Sequence, residues 1–243
     1  MVGPVVEVEG PEVLLVCEQV DILAVVLVID VRCKGRDDVF YVGIVEDDVD
    51  SAQADAALEI HQRVMYEPGT HWYYSSGSTN IVMRYLRGKF DSDQAFLNYM
   101  RERLFSPLAI ANPHFEPDMS GTPVGSSYLY VTARDYARFG QMFLDDGCVG
   151  EERILPEGWV EYTTTPAQAS EGRYGAFFWL NRCGVCPDVP EDMFSCNGHD
   201  GQQIYIVPSK DLVVVILGYS PKPDRVIDFN GLLRDIISCL PEK

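Results

Sequence analysis

Four residues in the C-terminal half have types and spacings that could hold a metal. Cys183-x2-Cys186 is followed by Cys196-x2-His199, giving three thiols and an imidazole at separations a tetrahedral zinc site uses, with residues 187–194 as the loop between the pairs. Two other short strings are dense in chemistry-bearing side chains. Trp72-Tyr73-Tyr74-Ser75-Ser76 sets a phenol beside two hydroxyls, and Gly198-His199-Asp200-Gly201-Gln202 sets an imidazole between glycines ahead of a strand-like run. Read on their own, the first is aromatic strand packing and the second an ordinary turn histidine.

The elements that would position these residues are legible from about residue 52 onward. Ile81, Val82, Tyr85 and Leu86 have helical spacing over residues 78–86, and Gly88 is placed to stop the helix. Residues 91–105 repeat the pattern through Phe96, Leu97, Met100 and Leu104. Thr132-Ala133-Arg134-Asp135 is an acidic relative of the capping box; Tyr136, Phe139, Phe143 and Leu144 form the face that follows, and Gly147 ends it. Arg134, Asp135 and Arg138 read as a helix start and its solvated side. Pro156 suits the first turn of a short helix around Trp159. Residues 204–207 and 212–217 flank Pro208-Ser209-Lys210-Asp211, a strand–turn–strand signal. Residues 224–240 read as an amphipathic helix with Ile227, Leu232, Leu233, Ile236 and Ile237 inward, weakened by Gly231 by about 1 kcal/mol relative to alanine. With no repeats or long linkers, the economical fold class is α+β, an antiparallel sheet flanked by helices.

Residues 1–50 have a different texture. Runs such as Val5-Val6-Glu7-Val8 and Val25-Val26-Leu27-Val28-Ile29 read as strands interrupted by acids, so residues 1–50 are set apart from a domain spanning 51–243. The apolar run at residues 22–29 is too short to span a bilayer, and no basic flank or cleavage site suggests a signal peptide. Hydrophobic residues are 47% of the chain, which excludes disorder as the main state. A net charge of −18 repels phosphate backbones and anionic lipid, so neither nucleic acid nor membrane is an expected partner. Seven cysteines, an odd number irregularly spaced, fit a reducing compartment, and the expected location is cytoplasmic.

Three strings in order carry a resemblance: Pro68-Gly69-Thr70-His71-Trp72-Tyr73-Tyr74-Ser75-Ser76-Gly77, then residues 126–140, then Gly198-His199-Asp200-Gly201-Gln202. Over residues 67–218 the chain resembles the β-lactamase-related serine hydrolases. That group includes class C β-lactamases, penicillin-binding-protein-like D-Ala-D-Ala peptidases, esterases and 6-aminohexanoate-dimer-type amidases. The resemblance implies a partial β-lactamase/transpeptidase-like fold and a small ester, amide or β-lactam as ligand, with no cofactor. Tyr74-Ser75-Ser76 resembles the family's Tyr-x-Asn motif, with Ser76 at the asparagine position. His199-Asp200-Gly201 resembles the third motif. By resemblance, Tyr74 relays a proton to the leaving group, His199 helps orient the substrate's carbonyl or carboxylate, and the Gln202 N–H supplies half of an oxyanion hole.

The family's nucleophile does not accompany them. Lysine occurs at positions 34, 89, 210, 222 and 243, and three positions earlier stand Val31, Leu86, Val207, Tyr219 and Leu240. No Ser-x-x-Lys is therefore present, and with it is lost the spacing that sets hydroxyl and amine one helical turn apart. The chain is expected to be N-terminally incomplete relative to the family and inactive. The alternatives are a ligand-binding pseudoenzyme and the zinc protein with which this section began; self-association is expected to accompany the missing nucleophile helix.

Overall fold

Local capping chemistry decides where most of the helices begin. The computed structural model describes residue 66, residues 70–220 and residues 227–241; the valine-rich residues 1–50 lie outside them. Helix α1 runs Ser76–Arg87, entered through Ser75, whose Oγ accepts the Gly77 N–H at 3.1 Å. Helix α2, Asp93–Met100, is capped by Ser92 and continues as a π-helical turn over Arg101–Phe105. Helix α3, Ala133–Leu144, has the full reciprocal box: Thr132 Oγ1 accepts the Asp135 N–H at 3.2 Å while Asp135 Oδ2 accepts the Thr132 N–H at 3.1 Å. Helix α4 is Trp159–Thr164 and helix α5 is Phe229–Ser238, the latter capped by Asp228.

Strands β1 (His114–Phe115) with β2 (Leu129–Tyr130), and β3 (Cys148–Val149) with β4 (Glu152–Arg153), make two small ladders. The main antiparallel sheet has the order β5-β6-β7-β8, from Trp179–Leu180, Phe194–Asn197, Gln203–Val207 and Leu212–Ile216. Its alternation divides two cores. Phe194, Cys196, Ile204 and Ile206 face α3 with Tyr136, Phe139 and Phe143, and Val213 and Val215 pack at that core's edge. Tyr205 and Val207 face the other way, onto Cys186, Val189, Met193 and Leu233 of α5. Gly140 lets α3 lie close to the sheet, since a Cβ there would stand 2.6 Å from Val213 Cγ1. The expected α+β arrangement, a sheet with helices on its faces, is what the chain adopts.

Several expectations need correction. Pro156 is not in the first turn of α4: its carbonyl accepts the Trp159 N–H in a preceding turn, and Gly158 in the left-handed region is the N-cap. Leu97 points outward, as do Ile227 and Leu232, while Leu233 is the buried large side chain of α5. The helix begins only at Phe229, so Ile227 precedes it, and of the four expected apolar positions within it Leu232 falls outside the stripe that faces the sheet. At Gly231 a Cβ would stand 2.5 Å from Asp228 Oδ2, so an added methyl would have to shift the carboxylate whose Oδ1 accepts the Gly231 N–H at 3.0 Å. Among the described residues no helix is long and apolar enough to cross a membrane.

Candidate functional site

Tyr74 is held by aromatic neighbours from far along the chain. Its ring centroid lies 5.0 Å from Trp179 on β5 and 5.8 Å, edge-on, from Tyr174; Trp72, two residues earlier, reaches the same pair at 6.2 and 5.4 Å. Tyr174 and Trp179 are brought together by a tight turn in which the Gly175 N–H bonds the Phe178 carbonyl, and their rings stand perpendicular at 5.0 Å. Gly175 is indispensable to that turn, since a Cβ would fall 2.0 Å from the Thr163 carbonyl oxygen. The Tyr174 hydroxyl is buried and has no hydrogen-bond partner among the described residues, an arrangement that costs about 1–3 kcal/mol unless a ligand or water satisfies it.

Of the two serines after Tyr74, Ser75 is the helix cap and Ser76 is the first helical residue. The motif tyrosine therefore sits immediately before a helix N-terminus, its ring directed by the aromatic group rather than by the helix.

His199 stands beyond the C-terminal end of β6. Its side chain is 64% exposed, and Nε2 lies 2.8 Å from the Asp200 carboxylate. Asp200 takes a left-handed conformation (φ 51°), one that aspartate tolerates better than most residues, and its carbonyl accepts the Ser220 N–H at 2.7 Å. Gly201, also left-handed at φ 92°, follows, and the Gly198 N–H bonds the Gln202 carbonyl at 2.7 Å to close the turn. The Gln202 N–H, expected in an oxyanion hole, instead makes a long 3.3 Å bond to the His199 carbonyl.

Sheet register relates the two strings. Trp179, on which Tyr74 packs, is directly opposite Ser195 in the β5–β6 ladder. His199 follows four residues later on the same strand and turn, at most about 14 Å of extended chain away. Tyr74 thus packs on β5, and His199, Gly201 and Gln202 follow directly on β6, its neighbour in the sheet.

The zinc set does not assemble. Cys196 is buried against α3 on one face of the sheet, whereas Cys186 is buried against α5 on the other. Among the described residues no three His, Cys, Asp or Glu side chains are grouped to hold a metal. Cys186 lies in the β5–β6 loop on the α5 side while Cys196, on β6, points toward α3, so the sheet stands between ligands that sequence spacing made look close.

No residue pattern links Tyr174 and Trp179 to Tyr74. A Gly175 turn flanked by aromatics was the available signal, but it specifies a hairpin and not its partner. Asp200 was visible as part of the third string, though its contact with His199 was not.

A family model for β-lactamase matches residues 35–233. The chain belongs to the β-lactamase family. A 6-aminohexanoate-dimer hydrolase of Paenarthrobacter ureafaciens is 33% identical over 126 residues, covering 49% of this chain and 32% of that enzyme. A solved structure assigned as a 6-aminohexanoate-dimer hydrolase from Bacillus anthracis superposes with a TM-score of 0.60 at 25% identity, over 74% of this chain and 48% of that one. A β-lactamase structure from Mycobacterium bovis, 18% identical, gives a TM-score of 0.56 over 72% of this chain and 66% of its own, which supports the fold alone. The chain therefore spans about a third of the curated relative and about half of the Bacillus structure. The β-lactamase-family fold accounts for the order of elements around Tyr74 and His199.

Proposed function

We propose that this chain forms the tyrosine- and histidine-motif side of a β-lactamase-family cleft for small esters, amides or β-lactams, and that it binds such molecules without turning them over. The observation that carries this reading is the absence of any Ser-x-x-Lys in a sequence whose residues 35–233 match the family. Tyr74 would present its phenol to a leaving group, His199 would orient a carbonyl or carboxylate, and the aromatic group around Tyr74 would cover the ligand's apolar part. A positioned phenol and imidazole do not replace an activated nucleophile. Removing the nucleophile from a serine-hydrolase triad leaves roughly 10³–10⁴-fold acceleration over water, from the oxyanion hole and binding. Here the Gln202 N–H is also engaged within its own turn. The setting we infer is the cytosol, with a small molecule rather than nucleic acid or membrane as partner.

The purified chain is expected to hydrolyse neither nitrocefin nor p-nitrophenyl esters above a heat-denatured control, and to remain unlabelled by a phosphonate probe for active serines. Titration calorimetry with a non-hydrolysable amide should nevertheless detect binding that weakens in Tyr74→Phe. Saturable turnover abolished by Tyr74→Phe would overturn the inactive reading and direct attention to Ser75 or Ser76 as nucleophile. Absence of both turnover and binding would overturn the cleft itself.

A further inference from the structure

The loop joining β5 to β6 carries Cys183-Gly184-Val185-Cys186, and both cysteines are reduced thiols of unlike exposure. Cys183 is exposed, at the end of a 3-10 turn over Asn181–Cys183, and Cys186 is buried in the α5-side core. Asn181 folds the segment on itself. Its buried amide accepts the Cys186 N–H at 2.8 Å and donates to the Cys186 carbonyl at 2.9 Å, with further contacts to the carbonyls of Val189 at 3.1 Å and Pro190 at 3.2 Å. Gly184, left-handed at φ 70°, returns its N–H to the Asn181 carbonyl at 2.9 Å. Both ends of Cys186 are thus tied to a residue two positions before Cys183. A Cβ at Gly184 would meet nothing within 4 Å, and Val185 is 71% exposed, so the crest of the loop is open to a small reagent.

The geometry points to a peroxide-responsive dithiol in which exposed Cys183 is the attacking thiol and buried Cys186 the resolving one. The Cys183 thiolate attacks one oxygen of a hydroperoxide, forming the sulfenic acid and releasing the other oxygen as water or an alcohol. The Cys186 thiolate then attacks the Cys183 sulfur, expelling hydroxide, which is protonated to water, and forming the disulfide. Overall, two thiols and one hydroperoxide give one disulfide, one water and one water or alcohol. The two cysteines are three positions apart in a tight loop, a spacing compatible with the short Cα separation that a disulfide needs. No third metal ligand is grouped with the pair among the described residues, so the thiols are not held as a metal site. Burial first, then the charges of Asp228 and Cys183, push the Cys186 thiol up. The resolving step should therefore quicken as pH rises, because only the thiolate attacks. The inference is independent of the hydrolase reading, since it uses no residue of the cleft.

The test is made on the full chain, reduced, freed of reductant, exposed to hydrogen peroxide, alkylated and peptide-mapped. The expected product is a peptide carrying both Cys183 and Cys186, lighter by two hydrogens and unalkylated, restored by dithiothreitol and formed faster at higher pH. Cys183→Ser should leave Cys186 alkylatable, and Cys186→Ser should leave a Cys183 sulfenic acid that dimedone traps. Because Cys183 is exposed, its serine variant should keep the native far-ultraviolet dichroism, so loss of the link there is chemical rather than a failure to fold. Pairing of Cys183 with Cys148, Cys239 or another thiol, direct passage to sulfinic acid, or no oxidation at Cys183 would each overturn the assignment.

Discussion

Tyr136 shows how one side chain can tie a helix to a strand. Its hydroxyl donates to the Leu129 carbonyl at 2.8 Å from a fully buried position at the start of α3, and burial pushes its phenol well above the ordinary value of 10.0. The folded state keeps the phenol neutral. Stability from this group is therefore present below about pH 10, and is lost as pH rises and the unfolded chain ionises first. Urea unfolding should show Tyr136→Phe less stable by about 1 kcal/mol at neutral pH, because Leu129 loses its donor. The variant should then decline less steeply than wild type above pH 10, and parallel alkaline declines would contradict the role. At this scale the sequence was informative where neighbours are local. The Trp72-Tyr73-Tyr74 run and the Gly198-His199-Asp200-Gly201-Gln202 string could be read directly, whereas the Tyr174 and Trp179 partners of Tyr74 come from distant chain and could not.

Among the elements, two glycines make opposite demands on intuition. Helix propensity alone says Gly231→Ala should stabilise α5 by about 1 kcal/mol. The 2.5 Å approach to Asp228 says that the added methyl displaces the cap, so a loss of about 0.5–2 kcal/mol is expected instead, read as a lower urea midpoint. Gly175→Ala should be worse, because the obstructing atom is the Thr163 backbone carbonyl, which cannot rotate away. The turn must open and Tyr174 and Trp179 part, so destabilisation above 2 kcal/mol and loss of amide binding at Tyr74 are expected together. Unchanged binding in a folded Gly175→Ala protein would separate the turn from the site. The start of α3 was legible because Thr132 acts on the Asp135 amide three residues on, whereas α2 and α5, expected from residues 91 and 224, begin at Asp93 and Phe229, where Ser92 and Asp228 supply the caps. The start of α4 was not legible, because the left-handed Gly158 pre-empted Pro156, a backbone choice that composition does not reveal. The inward face of α5 was read too broadly for the same kind of reason, since only the packed sheet decides which stripe is buried.

For the whole molecule, charge and apolar surface pull in opposite directions. A net charge of −18 repels copies of the chain from one another, while Met119, Tyr162, Val185 and Tyr219 stand exposed. Screening shortens the reach of that repulsion to about 8 Å at physiological salt. Sedimentation velocity should therefore find more association as salt is raised at fixed protein concentration, and a monomer at every ionic strength would contradict the expected self-association. The antiparallel, helix-flanked sheet could be read from the β7–β8 hairpin and the alternation around it. The division into two cores was less accessible, because it depends on which partner each face meets. That division is also what defeated the zinc spacing, placing Cys186 and Cys196 on opposite sides of one sheet.

The aromatic group around Tyr74 also gives the molecule an optical signature. Trp72 and Trp179 stand 6.2 Å apart with their planes 83° from parallel, while the remaining tryptophan, Trp159, sits beside Tyr162 on a separate helix. Two indoles held at that range in a fixed relative orientation form an asymmetric chromophore pair, and near-ultraviolet circular dichroism responds to such packing. Replacing Trp159 by phenylalanine would leave indole absorption only from the two tryptophans beside Tyr74. Occupancy of that region could then be followed as a change in ellipticity without any reaction taking place, which gives a chain lacking the usual nucleophile pair a readout of its own.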